Sequence, residues 1–256
     1  MEIRKSSEWI NKTLNFQVHY CFDLPNLYCG FVHKRIIDKA YKDGKYFRSI
    51  TPDAYSAFAT AIFVDNYAFS HRPFSIAGAS IKSNGASSMH PAGSDDEASK
   101  FYSENDIVFS EDFVNCPSFE VLVGEAFAKL AETFPDLCEP YQINYELMLN
   151  NAIANSNIKT EKAIRNAVAI MAVNFELKIK DMPLHKSRGR GISLIKLYRA
   201  LVSLLSSPRV VAISQSAAVG VKDIDDAALA AHILRYDLKR RIFITTRDLL
   251  KQQLKL

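Results

Sequence analysis

The stretch Ser49-Ile50-Thr51-Pro52-Asp53-Ala54-Tyr55-Ser56-Ala57-Phe58-Ala59 (SITPDAYSAFA) reads as the opening of a helix. Thr51 suits the N-cap, its hydroxyl able to accept from the free N–H groups of the first turn. Pro52 fits the first helical position, where its missing N–H is no loss and its φ is already set. Asp53 then falls in the first turn, where the helix dipole favours a negative charge by about 0.3–1 kcal/mol. Capping alone accounts for all three residues. The periodicity admits a second role. Tyr55, Phe58, Ala59, Ile62 and Phe63 form an apolar stripe, while Asp53, Ser56, Ala57 and Thr60 lie opposite. A second face of small residues suits a helix packed on both sides, with its one acid turned into a cleft. A carboxylate so placed, within reach of a hydroxyl, suits general-base chemistry.

Working outward, the helix is expected to run from Pro52 to about Asn66. Upstream, Ser6 or Ser7 can cap a short helix through Trp9 and Leu14. Phe16 to Tyr20 alternates apolar and polar, and Leu27 to Val32 is apolar on both faces, so each reads as a strand. A basic helix is expected from His33 to Tyr41, stopped at Asp43-Gly44, with Phe47 to Ile50 extended. Downstream, Tyr67 to Ala77 reads as a loop feeding a short strand, Phe74 to Ala77. From Gly78 to about Ser110 the chain is rich in Gly, Ser, Asn, Asp and Glu. From Ser118 onward the pattern is helical: one helix stopped by Pro135, one beginning at Tyr145, an amphipathic run from Thr160 to Lys180, and more from Asp226 to about Lys255. The expected layout is an α/β segment over 1–90, a polar connection over 91–117 and an α-helical extension over 118–256.

The chain has 256 residues, 48% of them apolar, enough for a sizeable core. Its four cysteines, Cys21, Cys29, Cys116 and Cys138, show neither CxxC spacing nor a dense framework, and read as reduced, mostly buried thiols of a cytoplasmic protein. The N-terminus has no apolar run behind its charges, so no signal peptide is read there. The most apolar long stretch, Leu194 to Ile213, is cut by Lys196, Arg199, Pro208 and Arg209. The net charge of +4 divides unevenly: from Met182 onward, 14 Lys and Arg face 5 Asp and no Glu, giving +9 there and −5 in the remainder. The basic part is read as a solvated helical face or as a surface attractive to anions. The Lys239 to Lys255 helix stays open between a solvated edge and peripheral contact with an anionic membrane.

Other motifs exclude more than they suggest. No G-x-S-x-G, G-x-G-x-x-G or P-loop occurs, and the six histidines are scattered. The loop Lys186-Ser187-Arg188-Gly189-Arg190-Gly191 is basic but has no aromatic platform beside it, which argues against nucleic-acid binding.

The run LPNLYCGFVHKRIIDKAYKDGKYFRSITPDAYSAFATAIFVDNYAFSHRPFSIAGASIKSNGASS, from Leu24 to Ser88, resembles the acceptor-side half of a family 2 glycosyltransferase of the GT-A type. The shared features are Leu-Pro-x-x-Tyr leading into a strand, a basic helix, the Pro-Asp-x-Tyr-Ser helix start, and a Ser/Asn/Gly loop after a short strand. With flanking residues the likeness covers Trp9 to Ser88, about a third of the chain. It implies a partial GT-A-like α/β segment followed by a mostly α-helical region. It also implies that Asp53 is the catalytic base, deprotonating a hydroxyl acceptor as that oxygen attacks the anomeric carbon of a nucleotide-sugar with inversion. Lys82, Ser83 and Asn84 match a substrate-binding loop near the acceptor and diphosphate, although as turn residues they are equally at home. The family places a nucleotide-binding half first, with an Asp-x-Asp motif that holds Mg²⁺ or Mn²⁺ on the diphosphate. Nothing of that half precedes Met1. Asp223-Ile224-Asp225-Asp226 follows the base instead of preceding it and fits helix capping, and Asp95-Asp96-Glu97 shares that placement. The expectation is therefore a C-terminal portion: a truncated product, a split enzyme whose first half is another chain, or a segment whose sheet edge its own helices cover. The alternative is a non-catalytic helical interaction protein that keeps a degenerate transferase remnant.

Overall fold

The computed structural model describes residues 1–70, 89, 100, 103–104 and 106–177. The chain divides into two compact units, and every described residue except Met1 and Ser70 belongs to the one formed by 2–69 and 78–187. That unit is mixed α/β and mainly helical. Its elements in order are β1 (Glu2–Lys5), α1 (Ser6–Leu14), α2 (Tyr20–Asp23), α3 (Lys34–Ala40), α4 (Pro52–Ile62), β2 (Asn66–Phe69), α5 (Phe119–Thr133), α6 (Pro135–Cys138), α7 (Tyr145–Asn155) and α8 (Glu161–Asn174).

Helix α4 is the centre. Every residue from Ala54 to Ala61 is buried, the two-sided packing that its small second face allows. It packs against α5 on one side and against α1, α2 and α3 on others; α7 lies on α5, and α8 on α7. Phe58 of α4 meets Phe127 of α5 edge to face at 5.2 Å. Gly124 lets α5 approach α7 closely, since a Cβ there would stand 2.5 Å from the Met148 sulfur. Thr51 does occupy the N-cap of α4, but its hydroxyl makes no cap bond. It turns instead to the Leu122 carbonyl of α5 at 3.3 Å, tying the two helices together.

Two strand expectations are corrected. Phe16 to Tyr20 is not a strand, because α1 ends in a Schellman turn: Phe16 takes a φ of 53°, Gln17 N–H bonds to the Lys12 carbonyl at 2.9 Å and Phe16 N–H to that of Thr13 at 2.9 Å. Leu27 to Val32 is not a strand either. The buried Asn26 side chain accepts from the N–H groups of Tyr28 and Cys29 at 2.9 and 2.8 Å, which folds the backbone into a turn. Phe47 to Ile50 is likewise irregular. The basic helix holds as α3, and the Asp43-Gly44 turn has both φ values positive, 49° and 76°, closed by paired bonds between Lys42 and Lys45 at 3.0 Å each way.

The α4 helix stops at Ile62, short of Asn66, because Asn66–Phe69 pairs antiparallel with Glu2–Lys5, with Arg4 opposite Tyr67. Arg4 fixes this pairing. Its guanidinium is fully buried between the rings of Trp9 at 3.6 Å and Phe69 at 3.3 Å, and bonds to the Asp23 carboxylate at 3.0 Å. The helices expected from Ser118, Tyr145 and Thr160 hold as α5, α7 and α8. Pro135 both ends the first and opens the single turn α6. Among the described residues, no helix is long and apolar enough to cross a membrane.

Candidate functional site

Asp53 stands in the first turn of α4, half-buried. Its Oδ2 accepts a hydrogen bond from the Tyr20 hydroxyl, across 33 residues of sequence. Among the described residues no other side chain bonds to the carboxylate. Burial, then the charge and hydrogen bond of Asp53, push the Tyr20 hydroxyl above the usual phenol range, which keeps it a donor.

Tyr20 is delivered by α2, one turn held from several directions. His19 caps it, Nδ1 accepting from Cys21 N–H at 3.2 Å. At the other end Arg4 bonds the Asp23 carbonyl at 3.1 Å as well as its carboxylate, and the Tyr67 hydroxyl reaches the same carbonyl at 2.5 Å. The buried arginine therefore connects the small sheet to the tyrosine that touches Asp53.

The surroundings are aromatic. His19 stacks on Tyr20 at 5.0 Å and on Phe119, the first residue of α5, at 4.7 Å; Tyr20 and Phe119 stack at 5.5 Å. Burial pulls the His19 imidazole below its ordinary value against the charges of Asp23, Asp53 and Glu120, so the ring is neutral at neutral pH. With Nδ1 used as the cap acceptor, the proton sits on Nε2. Glu120 is oriented by Ser118 at 2.8 Å and by Asn155 of α7 at 2.7 Å. Tyr28, 59% exposed, feels burial and then the Asp53 charge, both raising its hydroxyl, and Phe22 and Phe119 are also exposed in part. A second acid, Glu125 of α5, lies behind the start of α4, fully buried. Ser49 donates to its Oε2 at 2.6 Å, and its Oε1 has no partner. Burial pushes this carboxyl up to about 7, against the pull of the Ser49 hydrogen bond and the Lys129 charge.

Of the residues singled out in the sequence, Asp53 is placed in this cluster, whereas Lys82, Ser83 and Asn84 lie outside the described residues. The same holds for 95–97, 186–191, 223–226 and the residues 239–255, where a helix was expected. Among the described residues, no group of three or more His, Cys, Asp or Glu side chains could hold a metal ion. The described residues therefore do not fit the Mg²⁺ or Mn²⁺ that the resemblance implies. Sequence reasoning missed His19, Tyr20 and Phe119. The signal was present only as a histidine able to cap the turn that follows it. No family model matches the chain, and neither does any curated protein or solved structure.

Proposed function

We propose that the segment around Asp53 is the acceptor-side, base-bearing part of an inverting glycosyltransferase of the GT-A type. The observation that carries this reading is the carboxylate of Asp53: half-buried at a helix start and steadied on one oxygen by Tyr20. In this reading the acceptor hydroxyl hydrogen-bonds to Oδ1 and Asp53 takes its proton as the acceptor oxygen attacks the anomeric carbon. The bond from that carbon to the nucleotide diphosphate breaks on the opposite face, inverting the centre. Tyr20 fixes the carboxylate so that little reorientation is needed at the moment of transfer. The exposed rings of Tyr28 and Phe119 offer flat apolar faces for the C–H faces of a sugar acceptor. In this reading the nucleotide-binding half is supplied by a second chain.

The test supplies nucleotide-sugars, Mn²⁺ and candidate hydroxyl acceptors to the chain, alone and together with candidate first-half proteins. Transfer is expected to fall at least about 100-fold in Asp53→Asn, the scale of a lost general base. Transfer that survives Asp53→Asn unchanged would overturn the assignment of the base.

One observation favours the second reading, a non-catalytic interaction protein retaining a transferase remnant. The strands expected at 16–20 and 27–32 are turns, leaving a two-stranded antiparallel sheet among the described residues. Size-exclusion chromatography and pull-down separate the readings: a partner that binds equally well to Asp53→Asn and supports no transfer favours the interaction role.

A further inference from the structure

We propose that Cys21 and Cys29 are a redox-active dithiol that oxidises to an intramolecular disulfide. All four cysteines are free, but Cys21 and Cys29 are half-buried whereas Cys116 and Cys138 are buried. Cys29 is near enough to Cys21 to help raise its thiol. Their backbones are drawn together by one buried amide: Asn26 donates from Nδ2 to the Cys21 carbonyl at 3.1 Å and accepts on Oδ1 from Cys29 N–H at 2.8 Å. The two ends of a single planar amide thus hold both cysteine backbones. Gly30 lets the loop close this tightly, since a Cβ there would stand 3.0 Å from the Asn26 carbonyl oxygen.

The order of reaction follows from the surroundings. Burial first, and then Cys29 and the Asp53 charge, push the Cys21 thiol up to about 12, so it is a poor opening nucleophile. Cys29 therefore attacks first on a small-molecule disulfide such as oxidised glutathione, giving up its proton as the new sulfur–sulfur bond forms. One glutathione leaves as thiolate and the other remains on Cys29. Cys21 then gives up its proton and attacks the Cys29 sulfur, expelling the second glutathione. Two protein thiols are oxidised and one glutathione disulfide is reduced to two thiols. The new bond closes the loop whose ends carry Tyr20 and Tyr28, the two phenols within the field of Asp53. This chemistry is separate from the transfer proposed at Asp53 and stands on the thiols alone.

The experiment exposes the full chain to excess oxidised glutathione, alkylates free thiols under denaturing conditions, and maps peptides by mass spectrometry before and after reduction. A Cys21–Cys29 cross-linked peptide is expected, with Cys116 and Cys138 alkylated and no lasting glutathione on the wild type. Cys21→Ser, which lacks the resolving thiol, is expected to accumulate one glutathione on Cys29. A wild-type chain that keeps a stable glutathione adduct, keeps all its thiols free, or joins Cys21 or Cys29 to Cys116 or Cys138 would overturn the proposal.

Discussion

At the scale of single residues, two carboxyls near the start of α4 behave oppositely. Asp53 is half-buried and receives a phenol, whereas Glu125 is fully buried with one oxygen unpartnered. Tyr20→Phe removes one oxygen and leaves the stack with His19 and Phe119 intact. Losing a hydrogen bond to a carboxylate is expected to cost roughly 1.5–3 kcal/mol, read by urea denaturation, and to lower any transfer activity without abolishing it. For Glu125 the folded-state value, about 7, lies above the ordinary carboxyl value of 4.5, so folding takes up a proton between those limits. The stability due to the neutral acid is full below the lower limit and is lost as pH rises through the upper one, by up to roughly 3 kcal/mol. Glu125→Gln is expected to flatten this slope and to leave the variant more stable than the wild type at about pH 8. Parallel melting profiles of the two proteins from acid to alkaline pH would refute the assignment. Neither Tyr20 as partner nor Glu125 as buried acid was legible locally. Each depends on a contact across 33 or 76 residues that no short window contains.

At the scale of elements, the helices were legible and the extended segments were not. The reason is physical. Helical spacing is written within one element, so α1, α3, α4, α5, α7 and α8 were readable, and the structure adds the caps Ser118 and Asn144, whose side chains accept from N–H groups in the first turn. A strand exists only through its partner. The pairing of Glu2–Lys5 with Asn66–Phe69 joins opposite ends of this part of the chain, while the apolar runs at 16–20 and 27–32 found no partner and were folded by a Schellman turn and by Asn26. Helix ends supply a direct check. Glu176 terminates α8 with a φ of 54°, its N–H on the Val173 carbonyl at 3.1 Å and the next N–H on that of Ala172 at 2.8 Å, and its side chain is exposed. Glycine adopts this left-handed conformation without the Cβ penalty. Glu176→Gly is therefore expected to stabilise the protein by about 0.5–1 kcal/mol, visible as a raised melting temperature; a lowered one would count against the turn. Arg4 tests the link between elements. Arg4→Met is expected to cost about 3–5 kcal/mol, because the buried ion pair with Asp23 is broken, and to loosen the α2 turn that presents Tyr20.

At the scale of the whole molecule, the sequence suggests a boundary near residue 90, yet the buried core runs across it. Helix α4 comes from the first part and α5 from the second, and each is buried along most of its length by the other and by their neighbours. Thr51 bonds to Leu122, Ser49 to Glu125, and Lys42 to the Thr133 carbonyl at 2.9 Å, so the polar contacts cross the same line as the apolar ones. The change in composition over 91–117 marks a connection between helices that share a core, and composition alone does not distinguish that from a linker between separate domains. A fragment of residues 1–90 would expose the face of α4 that carries Phe58. Each large apolar side chain so exposed forfeits about 1.5–3 kcal/mol of burial, and three or four of them equal the whole stability of a domain this size. The fragment is expected to lack dispersed amide resonances and a cooperative melt, and to recover both when residues 91–187 are supplied in trans. Should 1–90 alone give a sharp, cooperative transition, α4 would need no partner from beyond the connection, and residues 1–90 would be an independent domain.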